Sequence, residues 1–200
     1  MSTTIRGRPR SFDRDAVLDK AIHVFWANGY EATSISNLTA AMGIGAPSLY
    51  AAFGDKATLF GEAVEVYGVQ YGGFILRALT EEPTATAAIA RLLREAADEY
   101  TRAERPRGCM VISAGANTTN VDVATLLREL RNNNVRVFAD LVQRDVDNGR
   151  LPSATDSAIL GRYVASVLQG MSQSARDGAT RAELEQVVEL ALRAWPVPVP

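Results

Sequence analysis

The 200-residue sequence is poor in the residues that build disulfide frameworks and metal sites. Its one cysteine, Cys109, excludes a disulfide bond within the chain. Its one histidine, His23, leaves too few ligands for a transition-metal cluster, so we expect no metal ion and no cofactor. No apolar run approaches the roughly 18 residues of a membrane span, and no apolar stretch follows the basic N-terminus as in a secretory signal. We therefore expect a cytoplasmic protein without a membrane partner.

The motifs of common enzyme classes are also missing. The sequence has no glycine-rich phosphate loop and no serine in a nucleophile elbow. We therefore expect that the protein is not an enzyme. The 21 Lys and Arg residues against 23 Asp and Glu give a net charge of −2. Any binding of nucleic acid must then come from a local basic patch and not from an overall positive field.

What the sequence does contain is helical periodicity from end to end. Apolar residues recur at intervals of three and four, and no segment alternates as a strand does. Caps and helix breakers divide the chain into nine predicted helices, at about 13–28, 33–42, 46–52, 56–80, 84–103, 107–117, 120–148, 155–175 and 180–195. The sequence therefore predicts an all-α protein.

The second and third predicted helices are short and are joined by the turn Gly43-Ile44-Gly45. Two short helices around a glycine-containing turn form a helix-turn-helix, whose second helix can enter the major groove of DNA. The residues expected to seal the pair onto the first helix are Ile35, Leu38, Ile44 and Leu49. Those expected to stay exposed on the third helix are Ala46, Pro47, Ser48, Tyr50 and Ala51.

Candidate phosphate ligands surround this motif. Thr33, the expected cap of the second helix, and Ser34 lie where free backbone N–H groups attract anions. Lys56 lies at the start of the fourth helix. Arg6, Arg8 and Arg10 precede the first helix and form a basic arm of the kind that reaches into a minor groove or along the DNA backbone. The alternative is an ordinary helical hairpin inside a bundle.

Residues 10–60 resemble the N-terminal domain of the tetracycline-repressor (TetR) family of bacterial transcriptional regulators. The matching residues are Ala21, Phe25, Gly29, Tyr30, Thr33, Ser34, Ile35, Leu38, Met42, Gly43, Ile44, Ser48, Leu49, Tyr50, Phe53, Lys56, Leu59 and Phe60. Thr39 departs from the alanine usual in the family; its hydroxyl can bond a carbonyl of the preceding turn.

The resemblance implies a ligand-responsive repressor that binds a palindromic operator in double-stranded DNA as a homodimer. It implies a three-helix DNA-binding domain at 1–57 and an effector-binding and dimerisation domain at 58–200. At matched positions it implies phosphate contacts for Tyr50 and Lys56 and base contacts for residues 46–48. An architectural helical protein is the competing reading of the same helices.

The aromatic and methionine residues of the later helices favour a pocket for a small, mostly apolar effector. The candidates for its lining are Tyr67, Tyr71, Phe74, Cys109, Met110, Ile112, Phe138, Leu141 and Tyr163. The alternative is that they are ordinary core residues. Cys109 follows Arg107 near a predicted helix start, and both features lower a thiol pKa. A thiol-based repressor that senses oxidants or electrophiles is therefore a second hypothesis.

The last two predicted helices carry apolar stripes interrupted by the small residues Gly161, Ala165 and Gly170. From these stripes and the resemblance we expect a four-helix interface between two subunits. The candidates are Leu160, Val164, Val167, Leu168, Met171, Leu184, Val187, Val188, Ala191, Leu192 and Trp195. The alternative is that the stripes are buried only within their own chain.

Overall fold

The computed structural model describes residues 12–115 and 117–196, and every regular element within these ranges is a helix. The elements are α1 Arg14–Ala32, α2 Ile35–Met42, α3 Ala46–Phe53, α4 Lys56–Gln70, α5 Gly73–Glu81, α6 Ala85–Glu99, α7 Met110–Ser113, α8 Val121–Asp147, α9 Ser157–Arg176 and α10 Arg181–Arg193. The all-α prediction is confirmed. Across the described ranges, no helix has both the length and the hydrophobicity that a bilayer span requires.

The described part of the chain has one helix more than predicted, because the helix expected at 56–80 breaks. α4 ends at Gln70, and α5 begins at Gly73. A Cβ atom on Gly72 would lie 2.8 Å from the Gly68 carbonyl oxygen, so the close turn between the helices requires glycine. The helix expected at 107–117 is also much shorter than predicted, since α7 is a single turn.

A first core joins α1–α4 to α7 and the start of α8. Leu38 and Leu49 are fully buried in it, and Ile35 and Ile44 pack against its edge, which confirms the predicted seal. Gly43 ends α2 in the left-handed conformation, with φ of 72°. The Thr39 hydroxyl donates to the Ile35 carbonyl oxygen at 3.0 Å, as expected for this departure from the family pattern.

A second core lies among α5, α6, α8, α9 and α10. Its one buried carboxylate among the described residues, Asp145 on α8, accepts hydrogen bonds from the Ala85 amide at 2.6 Å and from Arg150 at 3.0 Å. Burial of a carboxylate is tolerated when hydrogen bonds and a charge partner replace water. Asp145 thereby fastens the start of α6 to the end of α8.

Most of the residues predicted to form a subunit interface fill this second core instead. Those buried within their own chain are Val164, Leu168, Met171, Leu184, Val188, Ala191 and Trp195. Leu160, Val167 and Leu192 are partly buried against the same core, and only Val187 is exposed, at 43%. The interface prediction was wrong for the buried residues, because periodicity reveals a buried face but not what covers it.

Gly161 also packs within its own chain, since it lies at the point where α9 crosses α8. A Cβ atom there would lie 2.7 Å from the Val135 carbonyl oxygen and 2.8 Å from the Ala139 amide nitrogen. Both contacts are with backbone, which cannot move aside as a flexible side chain can. The small residue therefore serves packing within the chain.

We expect Gly161→Ala to lower the free energy of unfolding by about 1–3 kcal/mol, because the two helices must separate to admit the methyl group. Gly61→Ala is the matched control, since nothing lies within 4 Å of a Cβ atom at that helical position. At position 61, the higher helix propensity of alanine relative to glycine should raise the free energy of unfolding by up to about 1 kcal/mol. Urea denaturation measures the free energy of unfolding of both variants. Equal changes in the two would contradict a close contact between α8 and α9 at Gly161.

Candidate nucleic-acid interface and internal cavity

α3 presents an exposed face because its opposite face is anchored in the first core. Leu49 and Phe53 are buried, whereas Pro47, Ser48 and Ala51 are exposed and Tyr50 is 50% exposed. The predicted exposure is confirmed for these residues. Ala46 differs, since it is half-buried at the start of the helix.

The start of α2 corrects the role predicted for Thr33. Ser34 is the N-cap, and it forms a capping box with Asn37. The Thr33 side chain is completely buried, and its hydroxyl donates to the Gly29 carbonyl oxygen at 2.6 Å. Thr33 therefore closes the end of α1 and presents no side chain to a phosphate, while Ser34 remains exposed.

Lys56 at the start of α4 is held by α1. Its Nζ atom lies 4.3 Å from the centre of the Tyr30 ring and 3.5 Å from the Glu31 carbonyl oxygen. Partial burial lowers the pKa of the Lys56 ammonium, and the charge of Glu31 opposes that shift. The structure thus fixes this cation beside the helix-turn-helix. The predicted arm of Arg6, Arg8 and Arg10 lies outside the described residues.

A cavity of about 560 Å³ lies between α4, α5, α8 and α9, with the start of α7 on one wall. Five predicted lining residues line it: Tyr67, Phe74, Cys109, Ile112 and Phe138. The volume is in the range of small-molecule sites. No group of His, Cys, Asp and Glu side chains among the described residues is arranged to hold a metal ion.

Four other predicted lining residues lie elsewhere. The Tyr71 hydroxyl donates to the Asp19 carboxylate at 2.7 Å, and the Tyr163 hydroxyl donates to the Ala191 carbonyl oxygen at 3.0 Å. Met110 is fully buried in the first core, and Leu141 lines a separate cavity of about 340 Å³. Residue type alone does not separate a cavity wall from a core, which explains these errors.

Sequence reasoning missed the polar part of the cavity wall. Arg131 and Asn134 on α8 and Gln169 on α9 all line it. Arg131, Asn134 and Phe138 are spaced by three and four residues, which places them on one face of α8. That spacing was a signal that the charged and polar residues share the face of a predicted lining residue.

Cys109 is half-buried on the cavity wall, and it precedes α7 as its N-cap. Burial raises the pKa of its thiol, although a hydrogen bond from the Tyr67 hydroxyl opposes the shift. The Arg107 guanidinium points away, because it donates to the carbonyl oxygens of Ala175 at 3.1 Å and Ala179 at 3.2 Å. The predicted lowering of the thiol pKa was therefore wrong.

The segment 107–110, here called the hinge segment, connects three parts of the molecule. The Trp26 indole on α1 donates to the Gly108 carbonyl oxygen at 3.1 Å. The Cys109 amide donates to the Ser172 hydroxyl on α9 at 2.8 Å, and the Met110 amide donates to the Tyr67 hydroxyl on α4 at 3.2 Å. α1, α4 and α9 therefore meet at a segment that also contributes Cys109 to the cavity.

The chain is similar to known bacterial regulators in both sequence and structure. A family model described as "Bacterial regulatory proteins, tetR family" matches residues 17–63. The HTH-type transcriptional repressor ComR of Escherichia coli (strain K12) is 35% identical over 197 residues, covering 96% of this chain and 92% of the relative. The repressor BdcR of the same organism is 27% identical, covering 90% of this chain and 87% of its own.

Solved structures give the same result. A cysteine mutant of the TetR family transcriptional regulator CifR, complexed with 26-bp double-strand operator DNA, is 44% identical with a TM-score of 0.89. The match covers 94% of this chain and all (100%) of that chain. A putative TetR regulator from Rhodococcus sp. RHA1 is 35% identical with a TM-score of 0.63, covering 92% of this chain and 99% of its own.

The raised thiol pKa predicts slow alkylation of Cys109. With iodoacetamide at pH 7, Cys109 in the native protein should react more slowly than the free thiol of the urea-unfolded protein, because less of it is ionised. The rate should rise as the pH approaches the raised pKa, and Tyr67→Phe should slow it further by removing the opposing hydrogen bond. Mass spectrometry measures the adduct, with urea-unfolded protein as the control. Native labelling as fast as that of the free thiol at pH 7 would contradict this.

Proposed function

The chain belongs to the TetR family of bacterial regulatory proteins, and from that premise we propose that it is a transcriptional repressor that binds operator DNA. The observation that carries the proposal is the exposed face of α3, held outward by the burial of Leu49 and Phe53 within a helix-turn-helix. A regulator of this kind acts in the cytoplasm, where it is associated with the nucleoid when it is bound.

On DNA, α3 enters the major groove, and Pro47 and Ser48 lie close to base edges. Ala46 is half-buried and contributes mainly at the margin of that contact. α3 contains no Arg, Lys, Asn or Gln, so it cannot form the bidentate hydrogen bonds that read single bases. Sequence preference then comes from apolar contacts and DNA shape, and phosphate contacts by Tyr50, Ser34, Lys56 and the basic arm supply much of the affinity.

A palindromic operator requires two reading helices about 34–36 Å apart, and hence a homodimer. The exposed apolar residues of the last two helices support an interface on their outer side. Ile159 on α9 is 65% exposed, and Leu190 on α10 is 62% exposed. The hydrogen bond from Tyr163 to Ala191 joins the two helices one turn from Ile159 and one residue from Leu190. We place the dimer contact here, together with Val187.

The cavity supplies a site for a small-molecule effector, and the hinge segment supplies a connection from it to DNA. An effector that moves Tyr67 or Cys109 shifts the amides of the hinge segment and the Gly108 carbonyl group that binds Trp26. The Arg176 guanidinium at the end of α9 also donates to the carbonyl oxygens of Trp26 at 3.1 Å and Ala27 at 3.2 Å. α1 is thus held by the hinge segment and by the end of α9. A coupling free energy of about 1–3 kcal/mol between effector binding and DNA binding is enough to release the operator.

The DNA-reading unit of this proposal is 1–57, and the effector-binding and dimerisation unit is 58–200. All but the first two residues of α4 belong to the second unit by sequence, but the helix packs in the first core through Leu59 and Phe60. It also lines the cavity through Tyr67. α4 therefore transmits a change in the cavity to the reading unit, which makes it the natural mechanical link between the two.

A thiol-based repressor is the second candidate function, since Cys109 lines the cavity and an electrophile that enters would meet its sulfur atom. The raised pKa of the thiol argues against rapid attack at neutral pH. The alkylation rates described above decide between the two candidates. Because of the raised thiol pKa, we prefer the candidate in which an effector releases the operator by binding non-covalently.

The DNA contact predicts a specific loss on removal of one lysine. Lys56→Gln should weaken binding and reduce the slope of log affinity against log salt by about 1, because one phosphate contact disappears. Lys20→Gln is the matched control, since Lys20 is the chain's other lysine and is exposed on α1. Fluorescence anisotropy with a selected genomic fragment measures both slopes. Identical slopes for the two variants would rule out the contact.

The dimer contact predicts that Leu190→Glu produces a monomer that retains its fold, because the charge falls on an exposed surface that the second copy must cover. Val121→Glu places the same charge on another exposed apolar residue, 75% exposed, at the start of α8 and should remain dimeric. Size-exclusion chromatography with light scattering gives the mass, and circular dichroism verifies folding. A dimeric Leu190→Glu protein would refute this interface.

A further inference from the structure

The cavity contains a guanidinium group for which the described chain provides no counter-ion. Arg131 extends from α8 to the cavity wall, where its Nη1 atom donates to the Val111 carbonyl oxygen at 3.0 Å. None of the ion pairs among the described residues includes Arg131. Glu65, a carboxylate elsewhere on the wall, is exposed and is not paired with it.

The electrostatic surroundings of Arg131 are unfavourable for a cation. Burial lowers the pKa of its guanidinium, Cys109 opposes that shift, and the neighbouring charge of Arg128 lowers the pKa further. An arginine stays charged in proteins, so the loss of hydration makes the charged side chain less stable and does not deprotonate it. A negative group placed against the free side of the guanidinium would restore that lost stabilisation.

The polar side chains beside Arg131 extend this feature into a strip. Asn134 lies one turn further along α8, and Gln169 faces the cavity from α9. In the described structure neither side-chain amide takes part in an intramolecular hydrogen bond, so both can bind a ligand. The rest of the wall is mostly apolar, with Phe74, Ile75 and Leu130 among its members. The cavity thus has a cationic, hydrogen-bonding strip beside a mostly apolar wall.

We propose that the effector is an anionic amphiphile, with an apolar body in the cavity and a carboxylate or similar singly charged group bound to Arg131. The inference rests on the proposed function, in which this cavity is the effector site. A neutral apolar occupant would displace water from the guanidinium without offering a hydrogen-bond acceptor in its place. An anion instead accepts charge-assisted, bidentate hydrogen bonds from the guanidinium.

The same contact gives the anion a route to the hinge segment. The Val111 carbonyl group that Arg131 binds belongs to α7, whose N-cap is Cys109. An anion that draws the guanidinium inward changes its hold on α7 and, through α7, the position of the hinge segment. One charged side chain thereby links binding of the anion to release of the operator.

The test compares decanoate with 1-decanol, which share an apolar chain and differ in charge. Isothermal titration calorimetry on the full-length chain should give at least about tenfold tighter binding of decanoate, the change that roughly 1.4 kcal/mol produces. Arg131→Gln should abolish this preference, and Arg131→Lys should keep part of it. Arg128→Gln is the control, since it removes a nearby exposed charge that is not on the cavity wall, and it should retain the preference.

Equal binding of the two probes, or a preference for decanoate that survives in Arg131→Gln, would overturn the inference while leaving the cavity as an apolar effector site. Failure of both probes to bind the wild-type protein would also overturn it. Thermal unfolding of each variant verifies that lost binding is not lost folding. Operator binding, measured separately by anisotropy, tests the proposed function itself, because a protein that ignores DNA fails there whatever it does with decanoate.

Discussion

The hydrogen bond between the Trp26 indole and the Gly108 carbonyl group is the contact on which the organisation of this molecule depends. It joins Trp26 on α1 to Gly108, which lies 82 residues later in the chain. Gly108 adopts φ of +75°, and a Cβ atom there would lie 2.6 Å from the Ser172 carbonyl oxygen. A larger residue would push the hinge segment away from α9 and, with it, from Trp26.

Around this contact the chain places two surfaces with different chemistry. The outer face of α3 is exposed and lacks Arg, Lys, Asn and Gln, which is why the proposed DNA contact assigns much of the affinity to surrounding phosphate contacts. The cavity is mainly apolar and carries the Arg131 strip on one side. The hinge segment lines the cavity through Cys109 and contacts α1 through Gly108, so one short stretch of backbone lies between the two.

The sequence predicted local features well and the partners of buried faces poorly. Leu38 and Leu49 were identified as the seal of the helix-turn-helix, because their spacing and the glycine turn leave few other arrangements. Leu184 and Val188 were assigned to a second subunit, yet they face α6 and α9 of their own chain. Arg131 was overlooked although its spacing to Phe138 places both on one face of α8, because that spacing does not show that α4, α5 and α9 form a cavity beside this face. Such information lies in tertiary packing, which a periodic pattern does not encode.

Every role assigned to the cavity and the hinge segment has an output only if the reading unit selects particular DNA sites. The most direct test is binding of the purified protein to fragmented genomic DNA from its source at near-physiological salt, followed by sequencing of the bound fragments. The account predicts enrichment of a few palindromic sites. Uniform binding that disappears with modest added salt would contradict it, because that behaviour belongs to an architectural protein held by phosphate contacts alone.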